Sequence, residues 1–156
     1  MLKKIFEQFY FLSEDLKRWK FNSVNELFYI TFELGVWAAI LYRIRRALFL
    51  INIPIIKIII RIFVFLISKF SEIFLGVILH PETPIGPGLY IGHTGSIIIH
   101  PKVIIGKNFN IGNSVTIGAR GDGYAGVPIL GDNVYIHTGA KVLGDIRIGN
   151  NVKVGA

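Results

Sequence analysis

From Ile85 to Ala156 a branched apolar residue returns every six positions. Ile85, Ile91 and Ile97 keep the step, and after a two-residue slip Ile105, Ile111 and Ile117 resume it. An interruption follows, and Leu130, Ile136, Val142, Ile148 and Val154 bring the count to eleven beats. A repeat this short predicts a parallel β-helix in which each beat is one flat rung of a coil. No rung can bury its branched side chain alone, whereas stacked coils share one continuous core. Gly often follows the branched residue (Gly86, Gly92, Gly106, Gly112), and Gly, Asn and Asp recur at the corners. There the backbone needs conformations that a Cβ would penalise.

Upstream the pattern becomes helical. Residues 1–22 read as a short, mixed-charge helix or arm anchored by Phe6, Phe9, Tyr10, Phe11, Trp19 and Phe21. Glu7, Glu14 and Asp15 break up any apolar core there, so a secretory signal is not expected. A helix is expected from near Val24, capped by Asn22 or Ser23, to about Phe49, with Asn52 and Pro54 marking its end. A second should span Ile55 to Phe74 and stop near Gly76. The expected organisation is therefore a helical domain over residues 1–75 and a β-helix over 76–156, interrupted by a Gly-rich loop at 119–128.

Composition changes this picture at the helices. Apolar residues make up 52% of the chain and the net charge is +7. No acid lies between Glu33 and Glu72, a span that holds Arg43, Arg45, Arg46, Lys57, Arg61 and Lys69. A bilayer span needs about 20 mainly apolar residues, and the uncharged runs Leu34–Tyr42 and Ala47–Ile56 are too short. In the second helix Lys57, Arg61, Ser68 and Glu72 share one stripe against a broad apolar remainder. Such a helix suits an anionic membrane surface, or it buries the same face against a partner subunit; both readings stay open. The absence of Cys excludes disulfides, thiol nucleophiles and Cys-ligated metals. The loop ARGDGYAG lacks the Lys-Ser/Thr of a phosphate-cradling loop, and no nucleic acid is expected as a partner.

Stacking the beats in threes sets Ile91 above Ile111, Ile136 and Val154, with adjacent coils about 4.8 Å apart. At the next corner His93 then stands over Asn113 and Thr138. His93 and His137 fall two coils apart, about 9–10 Å, too far to share a metal within one subunit; no metal is expected. His100, placed in the slip, reads as a turn residue, and His80 as part of the His-Pro junction.

His80-Pro81, Ile85-Gly86, Ile91-Gly92-His93-Thr94-Gly95, the slip at Ile97–Ile105, Val115-Thr116-Ile117-Gly118 and Gly139-Ala140-Lys141-Val142-Leu143-Gly144 together resemble bacterial serine acetyltransferases. More broadly the chain resembles the hexapeptide-repeat O-acetyltransferases that decorate surface polysaccharides. The resemblance covers residues 76–156 well and the helices in outline. It implies an α+β chain in which a helical domain precedes a left-handed parallel β-helix. It also implies a homotrimer or higher homo-oligomer, acetyl-CoA as donor, and a site in the cleft between coils.

By the same resemblance His93 is the catalytic base, and an imidazole near neutral pH has the chemistry to take a proton from an attacking hydroxyl. Ala119, Thr138 and Ala156 take the positions whose main chain holds the pantetheine arm, and Arg120 and Lys141 are candidate phosphate contacts. Three positions depart from the serine acetyltransferase pattern. Ile78 and Gly92 replace acids, and Val127 replaces a second histidine. The expected acceptor accordingly shifts from serine to a sugar hydroxyl of a surface polysaccharide, with serine as the alternative and a silent scaffold as the non-enzymatic one. Such an enzyme is expected in the cytoplasm, peripheral to the inner face of the membrane. The sequence stops within a fourth coil, so either a shortened form or an edge covered by neighbouring subunits is expected.

Overall fold

Among the described residues eleven short strands build three parallel sheets of four, three and four strands, the first coil meeting the second sheet only through a bridge at Ile85. The computed structural model describes residues 1–19, 31–121 and 126–156. One sheet stacks β1 (Val77–Leu79), β3 (Ile97–Ile99), β6 (Thr116–Gly118) and β9 (Lys141–Leu143). A second stacks β4 (Ile104–Ile105), β7 (Ile129–Leu130) and β10 (Arg147–Ile148), and the third β2 (Tyr90–Ile91), β5 (Asn110–Ile111), β8 (Tyr135–Ile136) and β11 (Lys153–Val154). The register of the third sheet is as the beat predicts: Ile91 on Ile111, Ile136 and Val154. In the second, Ile85 bridges to Ile105, and Ile105, Leu130 and Ile148 follow in line. Most of these side chains are buried and form one core with Leu89, Val103, Phe109, Val115 and Val134.

The first sheet corrects the position of the slip. Leu79 pairs with Ile99, Ile99 with Ile117 and Ile117 with Val142. The two extra residues therefore lie in the corner between Ile91 and Ile99, not between Ile97 and Ile105. Ile97 and Ile99 both point inward while Ile98 points out, so alternation within the Ile97–Ile99 run lets either residue pass for the beat. At another corner Asn108, Asn133 and Asn151 adopt left-handed φ of 55°, 57° and 61°. Their amides bond coil to coil, Asn108 Nδ2 to Asn133 Oδ1 and Asn133 Nδ2 to Asn151 Oδ1, each at 2.9 Å.

Three helices appear among the described residues: α1 (Leu2–Lys17), α2 (Leu34–Phe49) and α3 (Pro54–Leu75). Proline at the first turn of α3 and left-handed Gly76 after its last give clean ends. The helix expected from Val24 does not continue unbroken to Phe49. Glu33 is extended and α2 begins at Leu34; the expected start at Asn22–Val24 lies outside the described residues. No described helix is long and apolar enough to cross a membrane.

The helical layer caps the first coil. The outermost coil of a solenoid leaves main-chain groups without a neighbour to pair with, and side chains of α1 and α2 supply the partners. Arg43 donates to Ile85 O (2.8 Å) and Gly86 O (2.6 Å), Arg46 to Pro81 O (2.7 Å) and the Tyr42 hydroxyl to Thr83 O (2.6 Å). Arg18, just past α1, donates to Gly88 O (2.9 Å). Asp15 accepts from the N–H groups of Gly88 and Leu89 at 2.8 and 2.7 Å, and also from Arg43 Nε at 2.7 Å, both side chains 1% exposed. At Gly35 a Cβ would collide with Ile91 O, so only glycine lets α2 approach β2 this closely.

Burial pushes the Asp15 carboxyl above the usual carboxylate range, while Arg43 and the two N–H groups pull it back. A buried pair of this kind fixes position more than it adds net stability, and removing one partner strands the other. Asp15→Ala is expected to lower unfolding stability by about 3–5 kcal/mol in a denaturant titration. A loss under about 1 kcal/mol, the range of an exposed pair, would show that the pair is not the clamp.

The stripe on α3 faces inward. Arg61, Ser68 and Glu72 line a cavity against the first coil, while Ile58, Ile59, Ile62, Phe63, Phe65, Leu66, Phe70, Ile73 and Phe74 are exposed. Lys57, the fourth residue of that stripe, is exposed near the start of the helix. The apolar side of the helix is the outer one.

Candidate functional site

The corner that carries the two extra residues is the one that carries His93. Gly92 N donates to Ile111 O, and Ser114 N donates to Gly95 O. Gly95, not His93, thus stands over Asn113, and Asn113 stands over Thr138 through the bond from Gly139 N to Asn113 O. His93 and Thr94 are the surplus, a two-residue bulge on an otherwise regular column. Beyond it Ser96 and Ser114 regain the same left-handed turn, with φ of 53° and 57°. The bulge lifts the His93 ring clear of the coil, where it is exposed. Among the described residues, the N–H groups of His93, Thr94 and Gly95 donate to no other main-chain group. An imidazole beside undirected amide donors is a fit arrangement for moving a proton and holding a developing oxyanion.

The other expected site residues divide between two corners. Thr138 and Ala156 are exposed on the column below His93. Ala119 follows β6 and lies one corner further on, near His100, whose Cβ is 3.2 Å from where a Gly118 Cβ would be. The coil therefore brings Thr138 and Ala156 together with His93 and sets Ala119 apart from them within one chain. Lys141 is already committed, donating to Ser114 O at 2.7 Å and Thr116 Oγ1 at 3.0 Å. The stem of Arg120 lies over Gly144.

His137 stacks on Tyr135 with ring centroids 3.9 Å apart. His100 sits at a regular corner rather than in the slip, and its Nδ1 accepts from Lys102 N at 3.2 Å. Among the described residues no three His, Asp or Glu side chains are grouped to hold a metal. Ile78 points outward from β1, half-buried; part of the loop at 119–128, residues 122–125, lies outside the described residues.

Sequence reading missed the capping set of Asp15, Arg18, Tyr42, Arg43 and Arg46. The clustering of Arg43, Arg45 and Arg46 in an acid-free span was its one visible signal, because a buried arginine needs an acceptor somewhere.

Comparison with known proteins extends this geometry. Residues 128–156 match the family model of the bacterial transferase hexapeptide (six repeats). A serine acetyltransferase of Synechococcus elongatus is 34% identical over 124 residues, covering 78% of this chain and 48% of the relative. The chain thus spans about half the length of the curated relative it matches. The crystal structure of Neisseria gonorrhoeae serine acetyltransferase in complex with serine superposes with a TM-score of 0.75 at 27% identity, covering 94% of this chain and 59% of that one. That of the Brucella abortus enzyme in complex with coenzyme A gives 0.76 at 22% identity, over 94% and 58%, a likeness of fold. The coil is a left-handed β-helix, residues 128–156 carry the hexapeptide repeat of bacterial transferases, and serine acetyltransferases are among the proteins to which the chain is similar.

Proposed function

We propose that the chain is an acetyl-CoA-dependent O-acetyltransferase with His93 as its general base. The observation that carries this reading is the bulge, which spends two extra residues to present one exposed imidazole at a corner otherwise built for packing. In the proposed reaction the imidazole takes the proton of the acceptor hydroxyl as that oxygen attacks the thioester carbonyl. Free amides of the corner hold the oxyanion. Collapse breaks the C–S bond, and the imidazolium returns the proton to the departing thiolate, giving an acetyl ester and free coenzyme A. Relatives that bind coenzyme A or serine support the donor and the reaction class.

Serine is the acceptor that the relatives favour, and they lend no support to a polysaccharide. The sugar hydroxyl stays as a second reading on one observation: Ile78, Gly92 and Val127 offer no charge at three positions where an amino acid acceptor is expected to find acids and a second histidine. An oligomer belongs to the same proposal. The outer face of α3 exposes Ile58, Ile59, Ile62, Phe63, Leu66, Phe70 and Ile73, neighbouring apolar side chains of the kind that mark an interaction surface, and in this reading a second copy of the chain covers them.

Thiol release from acetyl-CoA is expected with serine, and His93→Ala is expected to lower kcat by about 10²–10⁴-fold with unchanged elution volume. Turnover with sugars but not serine would move the acceptor to the second reading, and no thiol release with any hydroxyl would leave a scaffold. Ile62→Glu with Leu66→Glu is expected to shift the protein to a smaller species by light scattering. An unchanged mass, with co-sedimentation on anionic vesicles lost instead, would assign the face to a membrane.

A further inference from the structure

The cavity between α2, α3 and the first coil has a volume of about 340 Å³, the size of a small-molecule site. At its wall is Arg45, 1% exposed. Its Nε donates to Leu41 O at 3.1 Å, and its Nη2 is buried with no hydrogen-bond partner. Burial lowers its pKa to about 10, so it remains a cation at neutral pH. A buried charge without a counter-ion is costly, and here no carboxylate among the described residues pairs with it.

The other polar groups of the wall are mostly spoken for. Lys69 holds Glu72 at 2.6 Å, Ser68 Oγ donates to Val64 O at 2.8 Å, and the Arg61 guanidinium lies over Phe49 at 3.6 Å from the ring centre. His80 and Glu82 stand on the coil side of the rim. Phe49, Val64, Phe65, Val77 and Leu79 make the remainder apolar.

We infer that this cavity binds a small aliphatic carboxylate, its head paired with the Arg45 guanidinium and its chain against Phe49, Val64 and Phe65. A carboxylate matches the planar donor edge of arginine, and a short chain matches the apolar wall. The cavity shares no residue with the His93 corner, so this site stands apart from acetyl transfer.

Calorimetric titration of the full chain with octanoate below its micellar concentration tests it, with 1-octanol and inorganic phosphate as separate arms. Saturable binding of octanoate is expected, at least about tenfold tighter than either control, because each control keeps one half of the recognition. Arg45→Met is expected to lose at least about tenfold in affinity while retaining its circular dichroism spectrum. Val64→Phe, which fills the cavity and leaves the charge, is expected to abolish binding and keeps the test open if Arg45→Met fails to fold. Absence of octanoate binding, equal binding of either control, or undiminished binding to the folded variants would each overturn the assignment.

Discussion

Everything in this molecule depends on parallel in-register stacking, in which each coil's N–H groups find the carbonyls of the next. Ladders such as Gly92 to Ile111, Gly112 to Ile136 and His137 to Val154 lock successive coils at one spacing. Because the ladder forbids drift, a side chain's height and corner follow from its place in the repeat. Any surplus residue must leave the plane of the coil, since the core has no room for it. His93 is exposed for that reason. Its neighbours in sequence are bound into the ladder on both sides, and the two residues that cannot be bound are the ones that project.

A stacked coil has ends, and the helices solve one of them. Arg18, Tyr42, Arg43, Arg46 and Asp15 act on the first coil as another coil would, with side-chain donors and acceptors replacing main-chain ones. The arrangement also explains how a strongly basic segment comes to be buried. Carbonyl groups at an open edge are acceptors with nothing to accept, and guanidinium groups reach several of them at once. Since the capped coil is also the one that bears His93, the clamp and the proposed chemistry share a foundation. Loosening Asp15 and Arg43 disturbs the coil whose corner presents the imidazole.

Helix α3 shows the limit of amphipathic reasoning. Its polar stripe and apolar face are both where periodicity places them along the sequence, yet the stripe turns towards the protein. Arg61 finds Phe49, and the apolar side is left outside. Hydrophobic periodicity identifies two faces and does not say which one a neighbour will cover. In a monomer the apolar face would turn in; when a further surface completes the structure it need not. The cavity beside Arg45 follows from the same inversion, because packing polar and charged side chains against the coil leaves space that branched apolar ones would have filled.

The six-residue beat determined the coil, because alternation along a strand and glycine-rich corners are local properties that no distant contact can rearrange. It likewise determined the register Ile91, Ile111, Ile136 and Val154, and the glycine at 76 determined the end of α3. What the tertiary structure alone decided is where equivalent local choices fall. Ile97 and Ile99 both satisfy the inward position, so only pairing with Val77, Leu79 and Ile117 placed the slip at His93. Glu33 could have continued a helix, and the orientation of α3 could have been either. Those outcomes rest on contacts between segments far apart in the chain, whose energies no window of neighbouring residues contains.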